Sequence, residues 1–389
     1  MNRRRNDSSF EHFKEVMETL GNPQNIFYTI HVAGTDGKGS TVTFLRDLLM
    51  SHGYKVGTLQ SPHYIVHQDR IRVNNVNIKD DSFINLLNKN YDLIIKENLG
   101  MFEIDYLIMC DYFAQEKIDY AIIEVGIGGR LDSTNVIDNT KLSIITTIGY
   151  DHMDRLGDTL EKICYEKCGI IKQNSKTLIG HLNDSCKEVV SKVCDCRNNQ
   201  LYVLDNYLDK GDRKFVYNNN EYELLSFAKY QMHNASLALK AFELLSIDCK
   251  FSIDYDLAKQ AIKASSWPNR FELVKSNPNV ILDGAHNIHG VSALVESIDY
   301  LKGSKIIIFS ALKRKEYQKM LDLLISHCDE LIITTFDNNE VIDLNEFNNY
   351  HVNSNYIDAI NYGIKNYDNI IICGSLYFLS DVVLNYKFK

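Results

Sequence analysis

Apolar residues along this chain fall into two kinds of run: short unbroken blocks closed by glycine, and longer stretches where they recur every three or four positions. FYTIHVA (27–33) is a block of strand length ending at glycine. In TVTFLRDLLMSHG (41–53), Val42, Leu45, Leu48 and Leu49 repeat at helical spacing until Gly53. YKVGTLQ (54–60) predicts a second strand, and INLLNKNYDLIIKEN and IDYLIMCDYFAQEK predict helices. DYAIIEVGIGGR and KLSIITTIG then predict buried strands, and TLEKICYEKCGIIK a helix as far as Gly169.

The texture changes after residue 196. Residues 200–226 alternate apolar and polar positions around Gly and Asn, which predicts antiparallel strands. MHNASLALKAFELL returns to helix, and SSWPNRF (265–271), with the sole tryptophan and a helix-breaking proline, marks a boundary between domains 1–266 and 267–389. Beyond it, strands NVILD, KIIIFSA, ELIITTF and NIIICGS alternate with helices GVSALVESIDYL, YQKMLDLLISH and YIDAINYGIKN. Strand–helix alternation in both halves predicts an α/β fold with two parallel sheets packed between helices. No repeat of fixed period is visible.

Length changes little in this picture, since 389 residues exceed what one core usually supports. The formal charge of -9 disfavours a general nucleic-acid binder. Nine cysteines without a paired CxxC pattern read as free thiols of a reducing cytosol. No stretch of 18 apolar residues predicts a membrane span. The basic cluster Arg3 to Arg5 has acidic residues close behind it and no apolar core, which argues against a transit peptide; the expected location is cytoplasmic.

The candidate chemistry lies in loops that follow strands. HVAGTDGKGST (31–41) has the strand, glycine loop and helix start that a phosphate cradle needs. Backbone N–H groups of Gly34, Thr35, Asp36, Gly37 and Gly39 can approach phosphate oxygens, and Lys38 can supply a point charge. A Ser40 or Thr41 hydroxyl can reach magnesium. Only two residues separate Gly34 from Gly37-Lys38, against four in the generic Walker pattern, so a plain glycine turn is the alternative.

Glu124 interrupts an apolar strand, where an unpaired carboxylate is costly to bury. His152 lies just past the next strand; alone it reads equally as a loop or capping residue. In parallel sheets ligands collect at the carboxyl ends of strands, so the glycine loop, Ser61, Glu124 and His152 can converge on one edge and hold magnesium with ATP, although imidazole is less typical for that metal. In DGAHN (283–287), Asp283 and His286 follow the first strand of the second half, and Arg270 can reach them from the side. A tight turn with a helix cap at Asn287 is the alternative.

Together LGNPQ, HVAGTDGKGST, SPHYIVHQDRIRVNN, EVGIGGRLDSTNVI, DHMDRLGDTLEKICYEKCGIIK, WPNRFELV, ILDGAHNIHG and GSLYFLS resemble, in order and spacing, the folylpolyglutamate and dihydrofolate synthases of the Mur ligase superfamily. The resemblance spans residues 20–380. It implies an N-terminal P-loop-type domain like the Mur central domain and a C-terminal Rossmann-like domain. The implied reaction is ATP-dependent addition of L-glutamate to a folate carboxylate through an acyl phosphate; the sequence leaves open whether dihydropteroate is also an acceptor. It also implies a monomer acting on folate, glutamate and ATP, with no nucleic-acid or membrane partner.

Carried over by position, Lys38 and the loop amides would hold ATP phosphates, and Ser61, Glu124 and His152 would ligate magnesium, with two sites expected. Lys167 matches a lysine carbamylated in family members; otherwise it is a surface helix lysine paired with Glu166 or neighbouring aspartates. Arg270 would reach phosphates, Asp283 the ribose, and His286 with Ser375 the incoming glutamate. Phe102 and Asp132 fall where the pterin pocket is lined, although Phe102 could equally be core.

There are departures from the family pattern. Asp36 stands where the family usually has Asn and adds a negative charge beside the phosphates. SALKRKEY (310–317) lacks the usual acidic residue, and 175–230 looks trimmed. A peptidoglycan-type Mur ligase and a nucleotide-binding protein without ligase activity remain the alternatives. The GKGST loop, the WPNRFE and LDGAHN stretches and the expected lack of a UDP-binding domain before the loop favour the folate branch.

Overall fold

The structure is a computed structural model, and it describes residues 7–388; the Arg3 to Arg5 cluster lies outside them. The chain divides into two compact units. One comprises residues to Leu208 with Val216–Tyr222 and His233–Ser265, and the other Asp209–Phe215, Glu223–Met232 and Ser266 onward. Two short pieces of the 209–232 region therefore belong with the second unit, whereas the sequence placed everything to 266 in the first.

The first unit is built on an eight-stranded sheet. Its strands are β1 (Tyr28–Ala33), β2 (Val56–Leu59), β3 (Ile71–Val73), β4 (Val76–Asn77), β5 (Tyr120–Glu124), β6 (Leu142–Ile145), β7 (Lys176–Ile179) and β8 (Gln200–Val203). The order is β4-β3-β2-β5-β1-β6-β7-β8. Strands β2, β5, β1, β6, β7 and β8 run parallel, while β3 and β4 pair antiparallel at one edge. β1 lies between β5 and β6, with Val32 in register with Glu124 and Ile144. Hence the exits of these three strands are neighbours, the crevice where parallel sheets bind ligands. On one side, the helices Asp7–Thr19 and Met101–Glu116 bury Phe13, Met17, Tyr106, Ile108 and Phe113 against Leu59 and Ile123.

Strands β9 (Leu208–Gly211), β10 (Lys214–Tyr217) and β11 (Asn220–Glu223) form a small sheet in the order β11-β10-β9. Its two-residue turns, Asp212-Arg213 and Asn218-Asn219, have φ of 47°, 65°, 45° and 62°, the paired left-handed residues of tight hairpins. The antiparallel expectation for 200–226 thus fails only at its start, because β8 instead joins the large sheet parallel to β7.

The second unit holds β12 (Glu272–Lys275), β13 (Asn279–Asp283), β14 (Lys305–Phe309), β15 (Glu330–Thr334), β16 (His351–Asn353) and β17 (Asn369–Cys373), ordered β12-β13-β17-β14-β15-β16. All are parallel except β12 at the edge. Ile281, Ile307, Ile333 and Ile371 enter one core; Leu282, Ile308, Ile332 and Ile372 enter the other. A sheet buried on both faces explains the unbroken apolar runs of these strands.

Candidate active site

The glycine loop between β1 and the helix Lys38–Ser51 has little conformational freedom. A Cβ on Gly34 would lie 1.8 Å from Thr146 Oγ1, and Gly37, at φ 80°, has Asn234 Oδ1 2.4 Å from where its Cβ would be. The exit of β6 grips the loop from the other side. The Thr35 N–H donates to Thr147 O at 2.9 Å and the Asp36 N–H to Thr147 Oγ1 at 3.0 Å. Thr146 Oγ1 donates to Asp36 O at 2.6 Å. Thr146, Thr147 and Asn234 were not singled out in the sequence, where two threonines after a buried strand were the available signal.

Two amines meet on one carbonyl. Lys38 Nζ donates to Gly34 O and Thr35 O, each at 3.1 Å, and Lys167 Nζ donates to the same Gly34 O at 2.9 Å. Lys167 is 4% exposed, so it is no surface lysine, and Glu166 pairs instead with Arg130 at 3.0 Å. Burial, followed by the charge of Lys38, lowers the Lys167 pKa to about 7, while Asp151 and Asp36 oppose that fall.

Glu124 closes β5 and is buried, with the next N–H, that of Val125, donating to Val32 O at 2.9 Å. Ser61 follows Gln60, whose side chain donates to Gly39 O at 3.1 Å and ties the end of β2 to the helix after the glycine loop. His152, at φ 50°, sits at the start of the short helix Met153–Leu156 without a side-chain capping bond, and its N–H donates to the Asp151 carboxylate at 2.9 Å. Among the described residues, no group of three His, Cys, Asp or Glu side chains is arranged to hold a metal on its own. The Ser40 and Thr41 hydroxyls, however, are buried at the helix start without a hydrogen-bond partner. Orphaned hydroxyls at the start of the helix after the glycine loop fit a phosphate oxygen or a magnesium ion, either of which would satisfy them.

Phe102 and Asp132 both close on Gly126, where a Cβ would lie 3.1 Å from the Phe102 ring and 3.2 Å from Asp132 Oδ2. The Asp132 side chain is fully buried. It accepts from the Ile127 N–H at 3.0 Å, the Thr134 N–H at 3.1 Å and the Thr134 hydroxyl at 2.7 Å. The chain continues inward, because His31 Nε2 lies 2.8 Å from Thr134 Oγ1, and burial depresses the His31 pKa to about 3. Asp132 therefore shapes the 126–132 loop beneath Phe102. A cleft of about 610 Å³ in this unit is lined by Tyr28, Lys141, Lys176 and Gln200, at the opposite, amino-terminal edge of the sheet.

In the second unit the exits of β13, β17 and β14 adjoin through the register Asp283, Cys373 and Phe309. Asp283 is buried, accepting from the Phe271 N–H, the Ala285 N–H and the Tyr230 hydroxyl at 2.9, 2.9 and 2.6 Å; burial raises its pKa. Its carboxylate thus folds the 269–271 turn onto the strand end. Arg270 packs over Gly284, where a Cβ would meet its guanidinium at 2.2 Å. His286 Nδ1 lies 2.8 Å from Gly284 O, and Ser375, buried, precedes the helix Leu376–Asn385. Asn287 does cap its helix, accepting from the Gly290 N–H at 2.6 Å.

Residues 32–242 match the Mur ligase middle domain, and 269–376 match the Mur ligase glutamate ligase domain. The dihydrofolate synthase/folylpolyglutamate synthase of Bacillus subtilis is 34% identical over 95% of this chain and 93% of its own. The chain belongs to the folylpolyglutamate/dihydrofolate synthase family of Mur ligases. This ligase also shares its fold with Mycobacterium tuberculosis folylpolyglutamate synthase complexed with ADP and AMPPCP, at a TM-score of 0.88 and 24% identity over 98% and 96% of the two chains. Escherichia coli FolC in complex with DHPP and ADP has a TM-score of 0.85 at 26% identity, over 96% of this chain and 92% of its own. The trimmed appearance of 175–230 accordingly removes little of the family's length.

Proposed function

We propose that this ligase joins L-glutamate to the terminal carboxylate of a folate at the expense of ATP, and that dihydropteroate is a second acceptor. The observation that carries the reading is the glycine loop at the exit of β1, where two amines converge on Gly34 O and the helix that follows opens with two orphaned hydroxyls. The loop amides and Lys38 would hold the phosphates, with Lys38 leaving its loop carbonyls for the phosphate oxygens. Ser61, Glu124 and His152 would hold magnesium, at two sites. Bound there, magnesium supplies the positive charge that lets one anion approach another.

A carboxylate is a poor acyl donor. Transfer of the γ-phosphoryl group to a carboxylate oxygen releases ADP and creates a leaving group. Attack by the glutamate amine then forms the C–N bond, and phosphate departs with the oxygen it was attached to. In the second unit, Arg270 would reach the phosphates and His286 with Ser375 the incoming glutamate, while Asp283, expected at the ribose, has its carboxylate taken up by Tyr230, Phe271 and Ala285 and would hold that crevice in shape.

Lys167 would act as a carbamate. Its amine must be neutral to attack carbon dioxide, and burial supplies that near neutral pH. The attack forms an N–C bond and releases a proton, turning a cation into an anion suited to a metal site. Asp36 opposes this by favouring the protonated amine. Nine free thiols support a reducing, cytoplasmic compartment, and the enzyme would work as a monomer.

The test is phosphate release from ATP and magnesium with glutamate and either tetrahydrofolate or dihydropteroate. Release with both acceptors supports the full reading, and release with tetrahydrofolate alone removes dihydropteroate. Absence of release with either overturns it.

A further inference from the structure

Residues 61–70 form a ten-residue excursion between β2 and β3, closed at its base where the Gln60 N–H donates to Arg70 O at 2.9 Å. Its internal shape is set by Asp69. That buried carboxylate accepts from the N–H groups of Tyr64, Ile65 and Val66 at 2.8–3.2 Å. Nothing in that arrangement fixes where the excursion lies against the rest of the unit.

Asp105 does so. It sits in the helix Met101–Glu116, one turn after Phe102, and is 1% exposed. Its Oδ1 lies 2.6 Å from His67 Nε2, and its Oδ2 is 3.4 Å from Arg70 Nη1. Arg70 in turn donates to His63 Nδ1 at 3.2 Å, and the His67 ring packs edge-on against Phe83 at 5.6 Å. Oδ2 accepts no hydrogen bond and has the Arg70 guanidinium facing it as an ion pair. A buried carboxylate held this way is tolerable only while the excursion stays docked, since undocking strips it of both partners. Residues three apart share a helix face, so the anchor and Phe102 lie on the same side of one helix.

We propose that Asp105 is a positioning residue for the acceptor. By docking the 61–70 excursion, which begins at Ser61, onto the helix that carries Phe102, it sets how much of the enzyme is ready to take the pterin-bearing acid. This rests on the folate-ligase reading above. The nucleotide side is held independently, since Thr146 and Thr147 grip the glycine loop and Ser61 stays with the end of β2, where the neighbouring Gln60 is tied to Gly39 O. The clamp therefore acts on one substrate and not the other.

The experiment is Asp105→Asn in the full chain, with His67→Ala as a second variant that breaks the clamp from its more exposed end and His67→Gln as the conservative replacement. If the docked fraction falls to about one tenth, the KM for tetrahydrofolate rises about tenfold while kcat and the KM for ATP stay within about twofold. Hydrogen exchange, measured without substrates, should quicken in residues 61–70 and not in 34–41. His67→Gln, which keeps a donor, should recover most of the lost affinity. Equal rises in both KM values, or unchanged exchange in 61–70, would overturn the proposal. Should the wild type fail to turn over any folate, the proposed function fails, and the exchange experiment still decides the clamp.

Discussion

Replacing Lys167 by methionine should make the protein more stable and nearly inactive. The side chain keeps its length and apolar stem but loses a buried charge. A fall in pKa from 10.5 to about 7 corresponds to a folding penalty of about 5 kcal/mol at low pH. Against this stands the hydrogen bond from Nζ to Gly34 O, worth about 1.5–3 kcal/mol for a charged donor. Gly34 O still accepts from Lys38, so no orphan is left. The net expectation is a gain of about 2–4 kcal/mol.

The pH dependence identifies the cause. Between the folded and unfolded pKa values the unfolded chain binds the extra proton, so wild-type stability rises with pH while the methionine variant lacks this contribution. The gap between them is full below the folded pKa and narrows above it. Urea unfolding in buffer depleted of carbon dioxide should show it shrink by about 3 kcal/mol from about pH 6 to about pH 9. A less stable variant, or a gap that does not move with pH, would refute the reasoning. Lys167→Ala, with room beside the loop, should regain turnover when a short carboxylate is added, and a flat response would count against the carbamate.

Other perturbations separate the parts of the site. Lys38→Ala should abolish phosphate release with an unchanged melting curve, since its amine bonds only loop carbonyls in the absence of nucleotide; residual turnover near wild type would dismiss the phosphate-loop assignment. Gly37→Ala places a side chain at φ 80° and 2.4 Å from Asn234 Oδ1; calorimetry should record a loss of at least about 1–2 kcal/mol, and the KM for ATP should rise. Asp132→Ala removes three hydrogen bonds at a buried carboxylate and should destabilise the first unit by about 3 kcal/mol, visible as an earlier unfolding transition.

Much of the fold was legible in the chain because burial on both faces of a sheet leaves unbroken apolar runs, as in NVILD and NIIIC, and because glycine closes them. Partner direction was not legible. Alternation in QLYV reports one exposed face, a feature common to a hairpin and to the edge of a parallel sheet, so β8 was misassigned. Strand β3 was missed because three residues carrying Arg72 give too short a pattern. In the site, glycine spacing located the loop. The burial of Lys167, though, depends on the packing of its helix end against Gly34, which no local signal reports. The carboxylates of Asp132 and Asp283 face inward because backbone N–H groups of neighbouring turns reach them, and such partners leave no trace in side-chain identity. Asp105 gives no local signal for a related reason, since its partners His67 and Arg70 lie 38 and 35 residues earlier in the chain.

The central claim is that the folate carboxylate is activated by phosphorylation. Tetrahydrofolate labelled with oxygen-18 in its terminal carboxylate, incubated with enzyme, ATP, magnesium and glutamate, tests this directly by mass spectrometry of the phosphate released. The account predicts one labelled oxygen in each phosphate, carried from the carboxylate through the acyl phosphate. Unlabelled phosphate formed together with the glutamylated product would contradict it.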